Sequence, residues 1–302
     1  MGRWLLRVDT RLMIKLGRNR RLFALGAALV FTAGTIVACD SPTTRPTTTT
    51  LGSTTTRSST TTLGSTTATV PQPGSYRDAV LADTPVAYWR FANTNSETGT
   101  HNGNLRGSPA PLLGQPGPFA GSRSIRFDGV LRDNTTTGGF LANSLARLSS
   151  NTWSNGYTLE AWAKTTTSGP EQHVMTWSNS NGDAGPGILF DDPDNVWKFR
   201  DGNVSLSMNG TTTINAWHYL VATVGTLGNG KLYVDGQQVQ SWNSDVKPEA
   251  SSDGLFTVGA DYDAGTIVDT PFNGWIAEVA VYNRPLTQTR VQAHYAARAR
   301  SR

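Results

Sequence analysis

From residue 76 onward the chain alternates apolar and polar positions with a period of two, in short stretches broken by Gly, Asn and Asp. Residues 157–164 show it best: Tyr157, Leu159, Ala161 and Ala163 interleave with Thr158, Glu160, Trp162 and Lys164. That spacing sends the two sets to opposite faces of a β-strand. Residues 174–177, 187–190, 196–200 and 219–224 read the same way. Leu227-Gly228-Asn229-Gly230 is a turn into a strand at 231–234, and Asp235-Gly236 is a hairpin signal before 237–240. Further strands are predicted at 87–91, 255–260 and 275–282. Helix signals are sparse. A turn of helix is expected at 76–81, and Thr287 caps a short closing helix with Val291, His294 and Tyr295 on one face. Short strands at even spacing predict an all-β fold, a two-sheet antiparallel jelly-roll sandwich.

The pattern changes ahead of residue 75. Residues 41–70 hold 15 threonines in 30 positions, with Ser, Gly and Pro filling most of the rest, and Leu51-Gly52-Ser53-Thr54-Thr55 recurs at 63–67. Such a stretch has too little apolar surface to repay the entropy of ordering, which predicts a disordered tether spanning roughly 30 Å as a flexible coil. Before it, a basic segment (Arg3, Arg7, Arg11, Lys15, Arg18, Arg20, Arg21) runs into apolar or small residues at 22–38. A positive region followed by a short hydrophobic one is a secretory signal. The 17 residues of 22–38 also sit at the lower limit for a membrane span, which leaves an uncleaved anchor as the other reading. The organisation expected is a signal at 1–38, a linker at 39–74 and one folded domain at 75–302.

Charge changes the picture once the signal is set aside. Residues 1–38 hold 7 of the 26 Lys and Arg and 1 of the 22 Asp and Glu, so the remainder carries 19 − 21 = −2. No basic stripe is left for a phosphate backbone, and nucleic acid is excluded as a partner. The single cysteine, Cys39, lies outside the domain. The domain therefore folds without disulfides and stands on its core.

Two resemblances follow from particular residues. Ile36-Val37-Ala38-Cys39 resembles the lipobox of bacterial lipoproteins, which implies lipidation of Cys39 and anchorage at the outer face of the bacterial cell membrane. Asn19-Arg20-Arg21-Leu22-Phe23 is similar to a twin-arginine export signal. In the domain, Tyr88-Trp89-Arg90-Phe91, Asn102-Gly103-Asn104-Leu105 and Ser124-Ile125-Arg126-Phe127-Asp128-Gly129 resemble successive blocks of laminin-G-like jelly rolls, of the concanavalin A-like lectin/glucanase superfamily. Residues 157–162, 215–222, 232–236 and 272–286 continue the match in order. The resemblance implies two packed sheets, one concave, with ligands on the concave face or its rim.

Function is not settled by that fold, which hosts lectins, adhesion modules and glycosidases. Glycosidases of the fold carry Glu-x-Asp-x-x-Glu on one strand, and this chain has no such run. Glu160 is the lone plausible acid, with no partner carboxylate at strand spacing, and the reading is a non-enzyme. His101, His173, His218 and His294 lack metal-ligand spacing. Members of the wider fold often hold a structural calcium through an aspartate of the last strand. Ala277 occupies that place here, and Glu278 is expected on the opposite face, so the carried-over calcium loses its ligand. Asp261-Tyr262-Asp263 is the oxygen-rich loop such a hard cation would otherwise take. Aromatics are the remaining clue. Of nine tryptophans, Trp162, Trp177 and Trp197 lie on predicted strands, and Trp162 shares its face with polar neighbours, as a sugar-stacking ring would. Trp89, Trp162 and Trp217 sit at family motif positions, where the resemblance implies packing residues. The expected function is non-catalytic binding of an extracellular glycan or cell-surface protein; the alternatives are a glycoside hydrolase or lyase and a structural envelope protein.

Overall fold

The computed structural model describes residues 74–301 except 133–137, 143–154, 179–183, 192–194, 202–203, 209–211, 244–254 and 264–265. Cys39, the signal and the linker up to residue 73 lie outside the described residues. Helix α1, Tyr76–Ala82, comes first, followed by β1 Ala87–Trp89, β2 Asn104–Arg106, β3 Leu112–Pro116, β4 Arg123–Asp128 and β5 Gly139–Ala142. Then come β6 Tyr157–Thr165, β7 Gln172–Ser178, β8 Ala184–Asp191, β9 Val196–Asp201 and β10 Val204–Met208. β11 His218–Val224, β12 Gly230–Val234, β13 Gln237–Trp242 and β14 Leu255–Val258 follow. β15 Asp261–Asp263, β16 Thr266–Asp269, β17 Asn273–Tyr282 and helix α2, Gln288–Ala297, come last, with a 3-10 turn at Arg298–Arg300 after them.

Two antiparallel sheets form the sandwich. The first runs β13-β12-β11-β6-β17-β4-β3, with β1 also paired to β17; the second runs β10-β9-β8-β7-β14-β5-β2. Inward positions of β6 (Leu159, Ala161, Ala163) and β17 (Ile276, Val279, Val281) belong to one core with Ile188, Phe190, Phe199 and Phe256 of the second sheet. Trp89 stacks on Phe256 there, with ring centroids 5.6 Å apart. Gly103 is required beside it: a Cβ at that position would fall 2.0 Å from the Phe140 ring. The hairpin at Asp235-Gly236 forms as its sequence demands. Val234 pairs with Gln237, and φ values of +52° and +79° at the two central residues suit the twist of the strands.

The outer face of the first sheet is covered by the two helices. Neither is long enough to persist alone at 7 and 10 residues, so packing holds them. Ser75 and Asp78 make a capping box on α1, and Thr287 accepts from the Arg290 N–H at the start of α2. The start of α1 meets the segment after α2 where the Tyr76 N–H donates to Ser301 Oγ at 3.1 Å. Tyr76, Ala79 and Val80 of α1 and Val291 and Ala297 of α2 bury a second core against Tyr88, Trp162, Tyr219 and Tyr282.

This second core corrects the sequence reading of β6. Thr158, Glu160 and Trp162 were expected on a half-open face; all three are buried, because the helices roof that face. A bulge in β17 makes a second correction. The register slips between Ala277 and Ala280, with Glu278 at φ +52°, so Glu278 faces the same side as Ala277 instead of the opposite one. Asp261–Asp263 is a strand, β15, paired with β16, and is no loop.

Candidate functional site

Glu160 has the features of a reactive acid in sequence and those of a sealed counter-ion in structure. It is fully buried. Its Oε1 accepts from the Tyr76 hydroxyl at 2.6 Å and the Tyr219 hydroxyl at 2.9 Å, and its Oε2 accepts from the Tyr282 hydroxyl at 2.9 Å. His294 Nδ1 lies 3.1 Å from Oε2, while its Nε2 lies 2.8 Å from Asp83 Oδ2. Asp83 also takes Arg290 Nε at 2.6 Å. A ring nitrogen facing a carboxylate on each side makes His294 an imidazolium donating both protons. Burial alone would lower its pKa, but Glu160 and Asp83 outweigh burial and raise it to about 9. Burial pushes Glu160 up in turn, and the His294 charge with the hydroxyl donors holds it below the ordinary carboxylate value.

Glu278 is a second sealed acid. It accepts from the Tyr88 hydroxyl and from Ser122 Oγ at 2.7 Å, and it pairs with Arg90 Nε at 3.2 Å. Burial dominates and raises its pKa despite Arg90. Glycoside hydrolysis needs two carboxyls facing the scissile bond with room for substrate or water. Both of these acids instead tie buried elements together, Glu160 joining the helices to the first sheet and Glu278 joining β17 to Tyr88, Arg90 and Ser122.

The tryptophans singled out in the sequence are not open rings. Trp162 is 4% exposed, stacked on Tyr295 at 5.8 Å and close to Tyr219 and Phe119. Trp197 is 1% exposed and packs on Phe190 at 5.3 Å. Trp177 is half-buried, against Phe256 at 5.0 Å. Polar neighbours along β6 suggested an open face; those neighbours are satisfied inside. Trp89 packs as expected, and Trp217 packs against the edge of the second core. Ala277, standing at the family's calcium position, is fully buried, and no cluster of three metal-binding side chains occurs among the described residues.

A different aromatic group remains at the surface, on the part of the first sheet beyond the helices. Register places Leu112 of β3 beside Arg126 of β4, Arg126 beside Trp275 of β17, and Trp275 beside Lys164 of β6. The Arg126 guanidinium lies 4.6 Å from the Trp275 ring centre. Lys164 Nζ lies 4.1 Å from Trp275 and 5.5 Å from Trp217. Each such contact contributes about 0.5–1 kcal/mol at an exposed site. Arg126, Trp275, Lys164 and Trp217 are all partly exposed, and Leu112 is 59% exposed. Trp275 belongs to neither hydrophobic core. The four residues lie in three separate strands and one loop, so only non-local register brings them together. Alternation within β4, β6 and β17 marks each as outward, and that was the one signal available in the sequence.

The outer face of the second sheet differs in kind. Lys198 pairs with Asp191 there, and Arg200 Nη1 with Glu171 at 2.8 Å. These two cations are thus neutralised within the sheet face.

Comparison with known proteins agrees with this fold. A family model described as the concanavalin A-like lectin/glucanases superfamily, of the laminin-G type, matches residues 122–292. Domain 4 of an extracellular arabinanase from Geobacillus stearothermophilus, solved with arabinotriose, is 18% identical. Its TM-score is 0.49, over 70% of this chain and 97% of that one. A Trypanosoma rangeli sialidase mutant displaying trans-sialidase activity is 17% identical with a TM-score of 0.54, over 74% of this chain but 34% of the sialidase. The receptor-binding domain of botulinum neurotoxin type G is 15% identical with a TM-score of 0.48, over 70% of this chain and 51% of that one. The chain thus spans about a third of the sialidase and half of the toxin fragment. No curated protein matches the chain in sequence.

Proposed function

Because the chain belongs to the concanavalin A-like lectin/glucanase superfamily, we propose that its folded domain is a non-catalytic carbohydrate-binding module. The family hosts binding modules and glycosidases alike, so the choice rests on the site. The observation that carries it is the contrast between the two classes of side chain. Glu160 and Glu278 are fully buried, Glu160 beneath the helices, and are consumed by hydroxyl, imidazolium and guanidinium donors. Trp275 stands outside both cores on a flat sheet face with polar side chains beside it. Sugars bind to such faces through ring contacts and hydrogen bonds, with no proton transfer required. In this proposal the domain is carried at the outer face of the cell membrane by lipidated Cys39 and the threonine-rich linker, and its partner is extracellular. A glycan array with the purified chain tests the reading. Specific binding without release of reducing ends supports it, and hydrolysis of a bound glycan that stops in Glu160→Gln would replace it with the glycosidase alternative.

A further inference from the structure

We propose that the row formed by Arg126, Trp275, Lys164 and Trp217 selects an acidic, carboxylate-bearing polysaccharide over its neutral counterparts; this rests on the carbohydrate-binding reading above. Elsewhere in the domain most partly buried cations are paired with acids, Arg90 with Glu278, Lys198 with Asp191, Arg200 with Glu171 and Arg290 with Asp83, while Arg298 at the end of α2 rests on the Tyr295 ring. Lys164 and Arg126 form no ion pair with a carboxylate among the described residues. Arg126 donates only to the Gly274 carbonyl at 3.3 Å and to Asn273 Oδ1 at 3.1 Å. The nearest acid along its strand, Asp128, is held by Arg132 through two bonds. Asp128 still attracts Arg126 at longer range, but no ion pair neutralises the row directly, in a chain whose balance beyond the signal is negative.

Geometry gives that charge a shape. Neighbouring strands lie about 4.8 Å apart, so the stems of Arg126 and Lys164, one strand either side of Trp275, stand about 10 Å apart. The indole between them fixes both cations by cation–π contact and keeps them from folding away over the sheet. Neither indole N–H has a protein partner among the described residues. An extended acidic chain lying across β4, β17 and β6 meets a cation, an indole edge and a second cation in turn. A carboxylate suits Arg126 and Lys164 as a charge-assisted acceptor, which an uncharged hydroxyl does not match.

The test compares polygalacturonate, the same backbone fully methyl-esterified, and a neutral glucan, each titrated against the purified full chain kept in mild detergent. The expected result is binding to polygalacturonate at least tenfold tighter than to the methyl ester, weakening as salt rises. Arg126→Gln and Lys164→Gln each reduce it at least fivefold with unchanged unfolding midpoints, Lys164→Arg retains it, and Arg106→Gln on β2 leaves it untouched. Equal affinity for the acid and ester forms, or full binding in the double Gln variant, overturns the charge selectivity and leaves the carbohydrate reading standing. Failure to bind any of the three polymers or any glycan on the array overturns both.

Discussion

Replacing His294 by Gln removes the only cation between two buried carboxylates, and the pH dependence of the loss identifies what His294 does. Its pKa stands at about 9 in the folded chain against an ordinary 6.5. At 1.36 kcal/mol per pKa unit that difference is about 3 kcal/mol of stability. A raised pKa means that the contribution is complete below 6.5 and is lost as pH climbs through 9. Glu160 and Asp83 run the other way. Their pKa values are lowered, so their share is present above the ordinary carboxylate range and fades in acid. The native chain is thus most stable between the carboxylate range and pH 6.5, and declines toward pH 9 and above. His294→Gln lacks the alkaline decline. Urea denaturation of both proteins from pH 5.5 to 9.5 should show a gap of about 3 kcal/mol at pH 6 that closes to under about 1 kcal/mol at pH 9.5. A gap that stays constant across this range would mean that His294 acts by packing alone, and the charged bridge between helices and sheet would be refuted.

Other substitutions test neighbouring parts of the account. Glu160→Gln removes one of the two carboxylates facing the His294 cation, leaving Asp83 as the other, and should cost about 2–3 kcal/mol in the same assay, while leaving glycan binding by the folded fraction intact. Trp162→Ala empties the second core and should cost about 3–5 kcal/mol, whereas Trp275→Ala, outside both cores, should change stability by about 1 kcal/mol or less. Gly236→Ala meets both a φ of +79° and a Tyr295 ring atom 2.8 Å from the new Cβ, and should lose about 1–3 kcal/mol by loosening α2 from the hairpin. Cys39→Ser should move the chain from the membrane fraction to the soluble one, read by fractionation and by the mass of the amino-terminal peptide.

How far the sequence reveals this molecule differs from element to element. β6, β11, the Asp235-Gly236 hairpin and both helices were legible, because alternation, turn residues and caps are local signals. The short edge strands β2 and β3 carry little alternation of their own and are strands by virtue of pairing with β5 and β4. The candidate site was least legible. Alternation along β6 reports only that two faces differ, and it cannot report that α1 and α2 arrive from opposite ends of the domain to cover the polar one. Glu160 and Trp162 therefore looked exposed. For the same reason Trp275 passed unnoticed: its neighbours Arg126 and Lys164 lie 149 and 111 positions away in the chain, and only the register of three strands joins them.

In this proposal the ligand meets the outer row of the first sheet and not the sealed carboxylates. Side-by-side glycan arrays of the native chain and Trp275→Ala test it most directly. Specific binding by the native chain should be lost in Trp275→Ala while stability changes by no more than about 1 kcal/mol. Undiminished binding in Trp275→Ala, or binding that depends on Glu160 instead, would contradict it.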